Sequence, residues 1–204
     1  MKITEEKINR NYVLWVDFLK KYNCFSEELV NDYGELIKNG SYALTETTGA
    51  AYKGSLLDVV ISKLCVIATH INKCAFGEND KGKIMHEHLF CDNNSLMKVL
   101  LLQHIAKSEM FIPSTEQWKI NKGFYYEFNP NLKTSMKLGE RSVFLCMKYG
   151  IRLTEEEYDA MKICDNEEKD KNNSFITPLA ELVKIANQLT AIETYQKNKT
   201  SKIS

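Results

Sequence analysis

Histidine and cysteine are the side chains of this chain best suited to bind a transition metal. His86, His88 and Cys91 form an H-x-H-x-x-C run, and His70 and Cys74 stand four residues apart on one predicted helix face. Zinc accepts such nitrogen and sulfur ligands in tetrahedral geometry. Neither group has the paired ligand spacing of a structural zinc module, so we predict no metal site. A relocated site at the H-x-H-x-x-C run stays open as the alternative.

Other residues could take part in acid–base chemistry. Asp58 and Glu140 would form a carboxylate pair if the fold brought them together. Each is also typical of a helix N-terminus or a salt bridge, which is the role we predict. His104 lies among apolar helical residues and is predicted to be a structural histidine. The chain contains no phosphate-binding glycine loop, dinucleotide fingerprint or nucleophile elbow. We therefore predict no catalytic residue and no cofactor.

The spacing of apolar residues predicts a mainly α-helical chain. Helices are predicted at 4–22, 26–39, 55–73, 93–107, 139–149, 154–164 and 176–196. Ser26 is a predicted N-cap, and Thr154 with Glu157 a predicted capping box. The segment 117–128 has strand-like residues on both sides of Asn121-Lys122-Gly123, which predicts a small β-hairpin. Cys65, Cys74 and Cys146 are predicted to be buried, reduced thiols rather than parts of a disulfide framework.

Four short phrases, in this order, resemble the HD-domain phosphohydrolase superfamily. They are YKGSLLDV at 52–59, KVLLLQHIAK at 98–107, GERSV at 139–143 and PLAELVKIAN at 178–187. The resemblance covers 50–193, and the predicted hairpin lies between the second and third phrases. It implies an HD-domain-like helical bundle with a small β-hairpin over residues 41–196. Residues 1–40 would then be an N-terminal helical extension, and 197–204 a frayed tail.

The departures from the family pattern decide the functional interpretation. The family holds a divalent metal through histidine and aspartate, and the metal polarises phosphate and supplies a water-derived nucleophile. The matching positions here are Val59, Gln103, His104, Leu138, Cys164 and Asn187. Aliphatic and amide groups are poor ligands for a hard cation. The resemblance therefore implies a pseudoenzyme, a non-catalytic protein-interaction or structural component. The alternative is a metal-dependent phosphohydrolase acting on nucleotides or phosphate esters through a rearranged site.

Composition bears on the partner and the setting. Lys plus Arg equals Asp plus Glu at 27 each, so net charge gives no pull toward nucleic acid or anionic lipid. The N-terminus has no secretory segment, and the longest strongly apolar stretch, Leu96 to Ile105, is too short to span a membrane. We expect a cytoplasmic protein at synthesis. Abundant Lys, Asn and Ile suggest an AT-rich genome, and with a degenerate enzyme core we favour a bacteriophage protein, assembled into the virion or acting on a host factor.

Two aromatic sets are candidate contact surfaces for other protein chains, in a homo-oligomer or a larger assembly. The first lies in the predicted hairpin, where strand alternation would place Phe124, Tyr126 and Phe128 on one face and Tyr125 on the other. Trp118 belongs to the same set, and nearby lysines leave base stacking as a weaker alternative. The second set, on the N-terminal helix, comprises Tyr12, Trp15, Phe18 and Tyr22. These could dock on their own domain or on a neighbour.

Overall fold

A computed structural model describes residues 3–76, 89–162 and 176–200; side chains at 75–76 and 196–200 are excepted. Its helices are α1 (Glu5–Lys21), α2 (Glu27–Asn39), α3 (Ser55–Val59), α4 (Cys65–Phe76), α5 (Asn93–Leu102), α6 (Lys107–Met110), α7 (Gln117–Asn121), α8 (Leu138–Lys148), α9 (Glu155–Lys162) and α10 (Pro178–Thr200). Strands β1 (Phe111–Pro113) and β2 (Tyr126–Phe128) form a two-stranded sheet. The prediction of a mainly α chain with a small β-hairpin is confirmed.

Polar caps fix where several helices begin. Ser26 Oγ accepts a hydrogen bond from the Leu29 amide over 3.3 Å at the start of α2, as predicted. At α9 the capping box is complete, since the Glu157 amide donates to Thr154 Oγ1 and the Thr154 amide donates to Glu157 Oε2. These bonds satisfy amides that have no partner inside the helix, which is why capping residues mark helix starts.

The predicted helix at 55–73 is continuous but contains a π-helical turn, Val60–Leu64, between α3 and α4. The Ser62 hydroxyl donates to the Asp58 carbonyl there. Ser55–Cys74 is long and apolar enough to cross a membrane, so the expectation that no apolar stretch reaches that length is wrong. Of its most apolar window, 56% is buried inside the fold, as in the core helix of a globular domain.

The predicted helix at 93–107 stops early, because a tight turn separates α5 from α6. Amides of Ile105 and Lys107 bond carbonyls three residues earlier, over 3.2 and 3.0 Å. Ser142, on α8, supports this turn: its hydroxyl accepts from the Ala106 amide and donates to the Gln103 carbonyl. Gln103 and His104 therefore lie in a turn braced from α8, not on a regular helix.

The two-stranded sheet forms, but its first strand is not the segment that we predicted. Strand β2 pairs antiparallel with β1, Ile112 opposite Glu127, and α7 occupies the segment predicted as the first strand. An ion pair between Glu116 and Lys119 and a side-chain bond from Gln117 to Asn121 favour this helical turn. Gly123, at φ 82°, follows the helix as a C-terminal stop rather than forming a hairpin turn.

Helices α1 and α2 share one hydrophobic core with the rest of the described chain. Trp15, Leu19, Leu29 and Ile37 are fully buried in this core, and Trp15 Nε1 donates to the Leu101 carbonyl over 3.2 Å. Tyr12, Phe18 and Tyr22 pack against it. The N-terminal aromatic set therefore docks on its own domain, which removes Trp15 as a surface for a partner. Residues of α1 and α2 therefore contribute to the core of the described chain.

Candidate functional site

A buried polar cluster joins the 103–106 turn to α10. The Asn187 side-chain amide donates to Gln103 Oε1 over 3.0 Å, and Asn187 Oδ1 lies 3.3 Å from His104 Nε2. Gln103 and His104 are both buried. Three of the positions singled out in the sequence thus come together, and they do so through direct hydrogen bonds between side chains.

Tyr42 and Lys107 complete this polar cluster. The Tyr42 hydroxyl lies 3.3 Å from His104 Nε2, and the two rings meet edge to face with centroids 5.1 Å apart. Lys107 Nζ lies 3.4 Å from the centroid of the Tyr42 ring, a cation–π contact. Lys107 is itself largely buried, so its ammonium places a positive charge beside the imidazole.

His104 is neutral in this environment. Burial lowers the pKa of His104 well below its ordinary value, and the Lys107 charge lowers it further, against the opposing effect of the Asn187 hydrogen bond. Asn187 uses its amide group on Gln103, so its oxygen accepts the proton of His104 Nε2. The other ring nitrogen, Nδ1, is buried without a hydrogen-bond partner among the described residues.

The polar cluster is better suited to hold the 103–106 turn against α10 than to bind a cation. Its groups are two neutral amides, a neutral imidazole and a phenol, and the Lys107 ammonium opposes a second cation. Val59 is buried. Leu138, the first residue of α8, packs against the hydrophobic core. Cys164 lies outside the described residues. Within residues 3–76, 89–162 and 176–200, no three His, Cys, Asp or Glu side chains are grouped as metal ligands would be.

Asp58 and Glu140 have separate partners and do not form a carboxylate pair. Asp58 is buried and accepts from the Tyr52 hydroxyl over 2.7 Å and from Lys7 over 2.6 Å, with a third bond from Asn11. Burial alone would raise the pKa of Asp58, but these hydrogen bonds and the Lys7 charge lower it. Glu140 accepts the Lys137 amide at the start of α8. Both take the structural roles predicted for them.

The structure describes three of the five residues of the zinc alternatives, His70, Cys74 and Cys91. His70 Nδ1 lies 3.6 Å from Cys74 Sγ, so these residues do share a helix face, but Cys74 is exposed, contrary to our prediction. Cys91 is buried, and burial raises the pKa of its thiol to about 11, which disfavours the thiolate that zinc requires. Its partners on the other side of the run, His86 and His88, lie outside the described residues.

The thiolate form is disfavoured in the same way at Cys65 and Cys146. Burial raises the pKa of Cys65 and of Cys146 to about 12, and both are free cysteines. The prediction that these two are buried, reduced side chains is confirmed.

Four exposed aromatic rings lie between residues 118 and 128, on α7, on the stretch that follows it and on β2. Trp118, Phe124, Tyr125 and Phe128, which we call the ribbon surface, are 55%, 46%, 37% and 60% exposed. The predicted alternation is wrong: Tyr125 and Tyr126 line the same cavity, because only 126–128 is a strand. Exposed rings on one short segment are unusual, since aromatic side chains are favoured in interiors and at interfaces.

The cavity itself was not foreseen from the sequence. It has a volume of about 680 Å³ and lies between the start of α1, residues 46–53 and the two-stranded sheet. Its aromatic lining comes from Tyr52, Tyr125 and Tyr126. Residues so distant in sequence meet because residues 44–46 bond to 123–126; the Glu46 amide donates to the Gly123 carbonyl over 2.8 Å. No local pattern reports such a pairing.

Comparison with protein-family models, with curated protein sequences and with solved structures gives no match for this chain. The fold and the two candidate regions, the polar cluster and the ribbon surface with its cavity, therefore carry the functional argument.

Proposed function

We propose that this chain is a non-catalytic, HD-like helical domain that works by binding another protein through the ribbon surface. The observation that carries the proposal is the hydrogen-bonded set of Gln103, His104 and Asn187 at positions where the resemblance places metal ligands. These neutral side chains bond one another and hold a turn against α10. They offer no charge to activate water or to polarise a phosphate.

The ribbon surface supports the binding part of the proposal. Trp118 lies on α7, which has no buried residue, and the other three rings follow it at 124, 125 and 128. Lys119 and Lys122 lie 5.7 and 5.4 Å from the Trp118 ring, so cationic groups frame the aromatic surface. Rings with a polar rim are the usual composition of an interface centre. A structural place in a bacteriophage particle is the setting we favour.

Site-specific cross-linking tests the binding surface. A photo-reactive phenylalanine analogue placed at Phe124 is compared with the same analogue at Phe144, because the two rings are 46% and 47% exposed and Phe144, on α8, is not one of the four ribbon-surface rings. In the native source, Phe124 should cross-link to one protein in near-stoichiometric amount, and Phe144 should not. Phe124→Glu, but not Phe144→Glu, should then reduce the complex to the mass of the free chain.

Two results would contradict the proposal. One is a strictly monomeric chain in its native source, with equal and low cross-linking at both positions. The other is hydrolysis of phosphate esters or nucleotides by the purified protein after loading with manganese, iron or zinc, which would favour a relocated metal site.

A further inference from the structure

The cavity beside the ribbon surface is lined partly by residues of the protein interior. Ile8 and Ala51 belong to the lining and are only 2% and 8% exposed. Ile8 is packed closely on Gly54, at φ 78°, where an added Cβ would lie 2.6 Å from Ile8 Cγ1. The volume of about 680 Å³ falls in the middle of the range for small-molecule sites, so the cavity can bury much of a ligand.

Uncharged side chains dominate the rest of the wall. Three phenol rings come from Tyr52, Tyr125 and Tyr126. Further apolar surface comes from Ile3, Pro113 and Ile120. Apolar and aromatic walls with a few polar groups are typical of sites for small organic molecules.

The charged residues of the wall have partners within the chain. Lys53 Nζ lies 2.7 Å from Glu5 Oε1, so these two charges offset each other. Glu46, the third charged residue of the wall, is not without a partner either. A charged ligand would have to give up its hydration and compete for groups that are already engaged, whereas an uncharged ligand avoids that cost. The wall therefore favours an uncharged ligand.

The ring of Tyr52 is held in position by a buried network. Its hydroxyl donates to Asp58 Oδ2 over 2.7 Å, and Asp58 is held in turn by Lys7 and Asn11. Burial and this hydrogen bond raise the pKa of Tyr52, and burial raises the pKa of Tyr126, so both phenols are neutral near pH 7. A ring that is fixed in advance loses little freedom when a ligand packs on it.

We propose that this cavity binds a small, uncharged organic compound that contains an aromatic ring. Aromatic rings pack on one another edge to face or offset, which adds to the gain from burying apolar surface. A cavity of about 680 Å³ accommodates a ligand of drug-like size, more than one aromatic side chain of a partner protein would fill, so we assign the site to a free compound. This assignment does not depend on the protein-binding role of the ribbon surface, although Tyr125 belongs to both.

Nuclear magnetic resonance titration of the full chain tests the ligand class with probes of similar size. Benzyl alcohol is the neutral aromatic probe, and benzylammonium and benzoate are its charged counterparts. Benzyl alcohol should give saturable shifts of amides at 49–53 and 120–126, with a dissociation constant on the order of millimolar. Each charged probe should bind about tenfold more weakly, because it must lose hydration on entry.

Cyclohexylmethanol tests the preference for an aromatic ring. It has the shape of benzyl alcohol in outline but is more apolar, so a recess that selects only for hydrophobicity would bind it more tightly. We expect it to bind severalfold more weakly than benzyl alcohol, because it cannot form ring pairs with the tyrosines of the wall.

Variants locate the site. Ile120→Trp places a larger side chain in the wall and should abolish binding of benzyl alcohol, and Tyr125→Ala should weaken it severalfold by removing one ring. Phe144→Trp, an exposed position on α8 that does not line the cavity, should leave binding unchanged. Thermal unfolding shows whether each variant is folded. If Ile120→Trp does not fold, Tyr125→Ala decides the location.

Equal or tighter binding of cyclohexylmethanol would overturn the aromatic assignment. Equal or tighter binding of benzylammonium or benzoate would overturn the uncharged one. Shifts confined to other residues, or no saturable shift at about 20 mM benzyl alcohol, would show that the cavity is not such a site. Cross-linking at Phe124 is expected whether or not the cavity takes these probes. Failure of the ligand site and failure of the binding role are therefore distinguishable.

Discussion

The side chains at 103, 104 and 187 hold structure together with neutral groups. A buried polar atom without a partner costs about 1–3 kcal/mol in folding free energy. Each hydrogen bond among Gln103, His104 and Asn187 avoids a cost of that size. His104 Nδ1 is buried without a hydrogen-bond partner among the residues described. That nitrogen can take a proton only at the expense of placing a charge beside Lys107 in the core.

This makes His104 a source of acid sensitivity. The pKa of His104 in the folded protein lies well below 6.5, its ordinary value, which we take for the unfolded chain. The stability it contributes is therefore fully present above pH 6.5 and is lost as the pH falls through the folded pKa. As the pH falls below 6.5, unfolding takes up a proton at His104, so the free energy of unfolding should fall with a slope that approaches about 1.4 kcal/mol per pH unit.

His104→Gln tests this prediction, since a glutamine amide can donate to Asn187 in place of Nε2 and does not titrate. Urea unfolding of this variant between pH 8 and 5 should lose the decline seen in the unaltered protein. The exposed His70 provides the control, because His70→Gln should keep the decline. An identical pH profile for His104→Gln and the unaltered protein would contradict the neutral, buried assignment.

At the scale of elements, the sequence predicted what short-range patterns determine. The starts of α2 and α9 follow from Ser26 and Thr154, whose capping bonds depend only on residues three positions away. The prediction of a strand at 117–121 is wrong. Two local pairs, Glu116 with Lys119 and Gln117 with Asn121, stabilise a helical turn there and outweigh the strand-like side chains. Gln103 and Asn187 hydrogen-bond each other, and both are positions at which the family resemblance places metal ligands. The cavity depends instead on hydrogen bonds between residues 44–46 and 123–126, which no local pattern encodes.

The pairing of α5 with α9 also escaped the sequence patterns. Lys98 Nζ lies 2.9 Å from Glu157, whose side chain is 1% exposed, and Glu157 also caps α9. A capping box was predictable, but the second use of the same carboxylate was not, because Lys98 is 59 residues away. Removing one member of a buried ion pair leaves an uncompensated charge in the core, which is far more costly than losing an exposed pair.

Lys98→Met should therefore lower the free energy of unfolding by about 3 kcal/mol, because the Glu157 carboxylate would stay buried without its cation. Lys53→Met removes an exposed pair with Glu5 and should cost less than about 1 kcal/mol. Equilibrium urea unfolding at pH 7 measures both. Equal effects of the two substitutions would show that the α5–α9 pair is not buried in solution.

The whole described chain is organised around one core that includes its first two helices. Trp15 and Leu19 from α1, and Leu29 and Ile37 from α2, are completely buried in the same cluster as Leu101 of α5. Fully burying such side chains contributes roughly 1.5–3 kcal/mol each, so the remaining helices would expose a large apolar surface without them. Helices α1 and α2 are therefore needed to complete this core.

Unfolding should accordingly be a single transition across the molecule, and the two tryptophans allow a test. In Trp118→Phe, the buried Trp15 is the sole tryptophan and reports on α1, while far-ultraviolet circular dichroism reports on all helices. The red shift of Trp15 emission and the loss of helical signal should have the same urea midpoint, as for one cooperative unit. In Trp15→Phe, the exposed Trp118 should emit at long wavelength already in the folded state. An emission change of Trp15 at clearly lower urea than the helical transition would mean that α1 detaches on its own, which would contradict a single cooperative unit and favour a separate N-terminal extension.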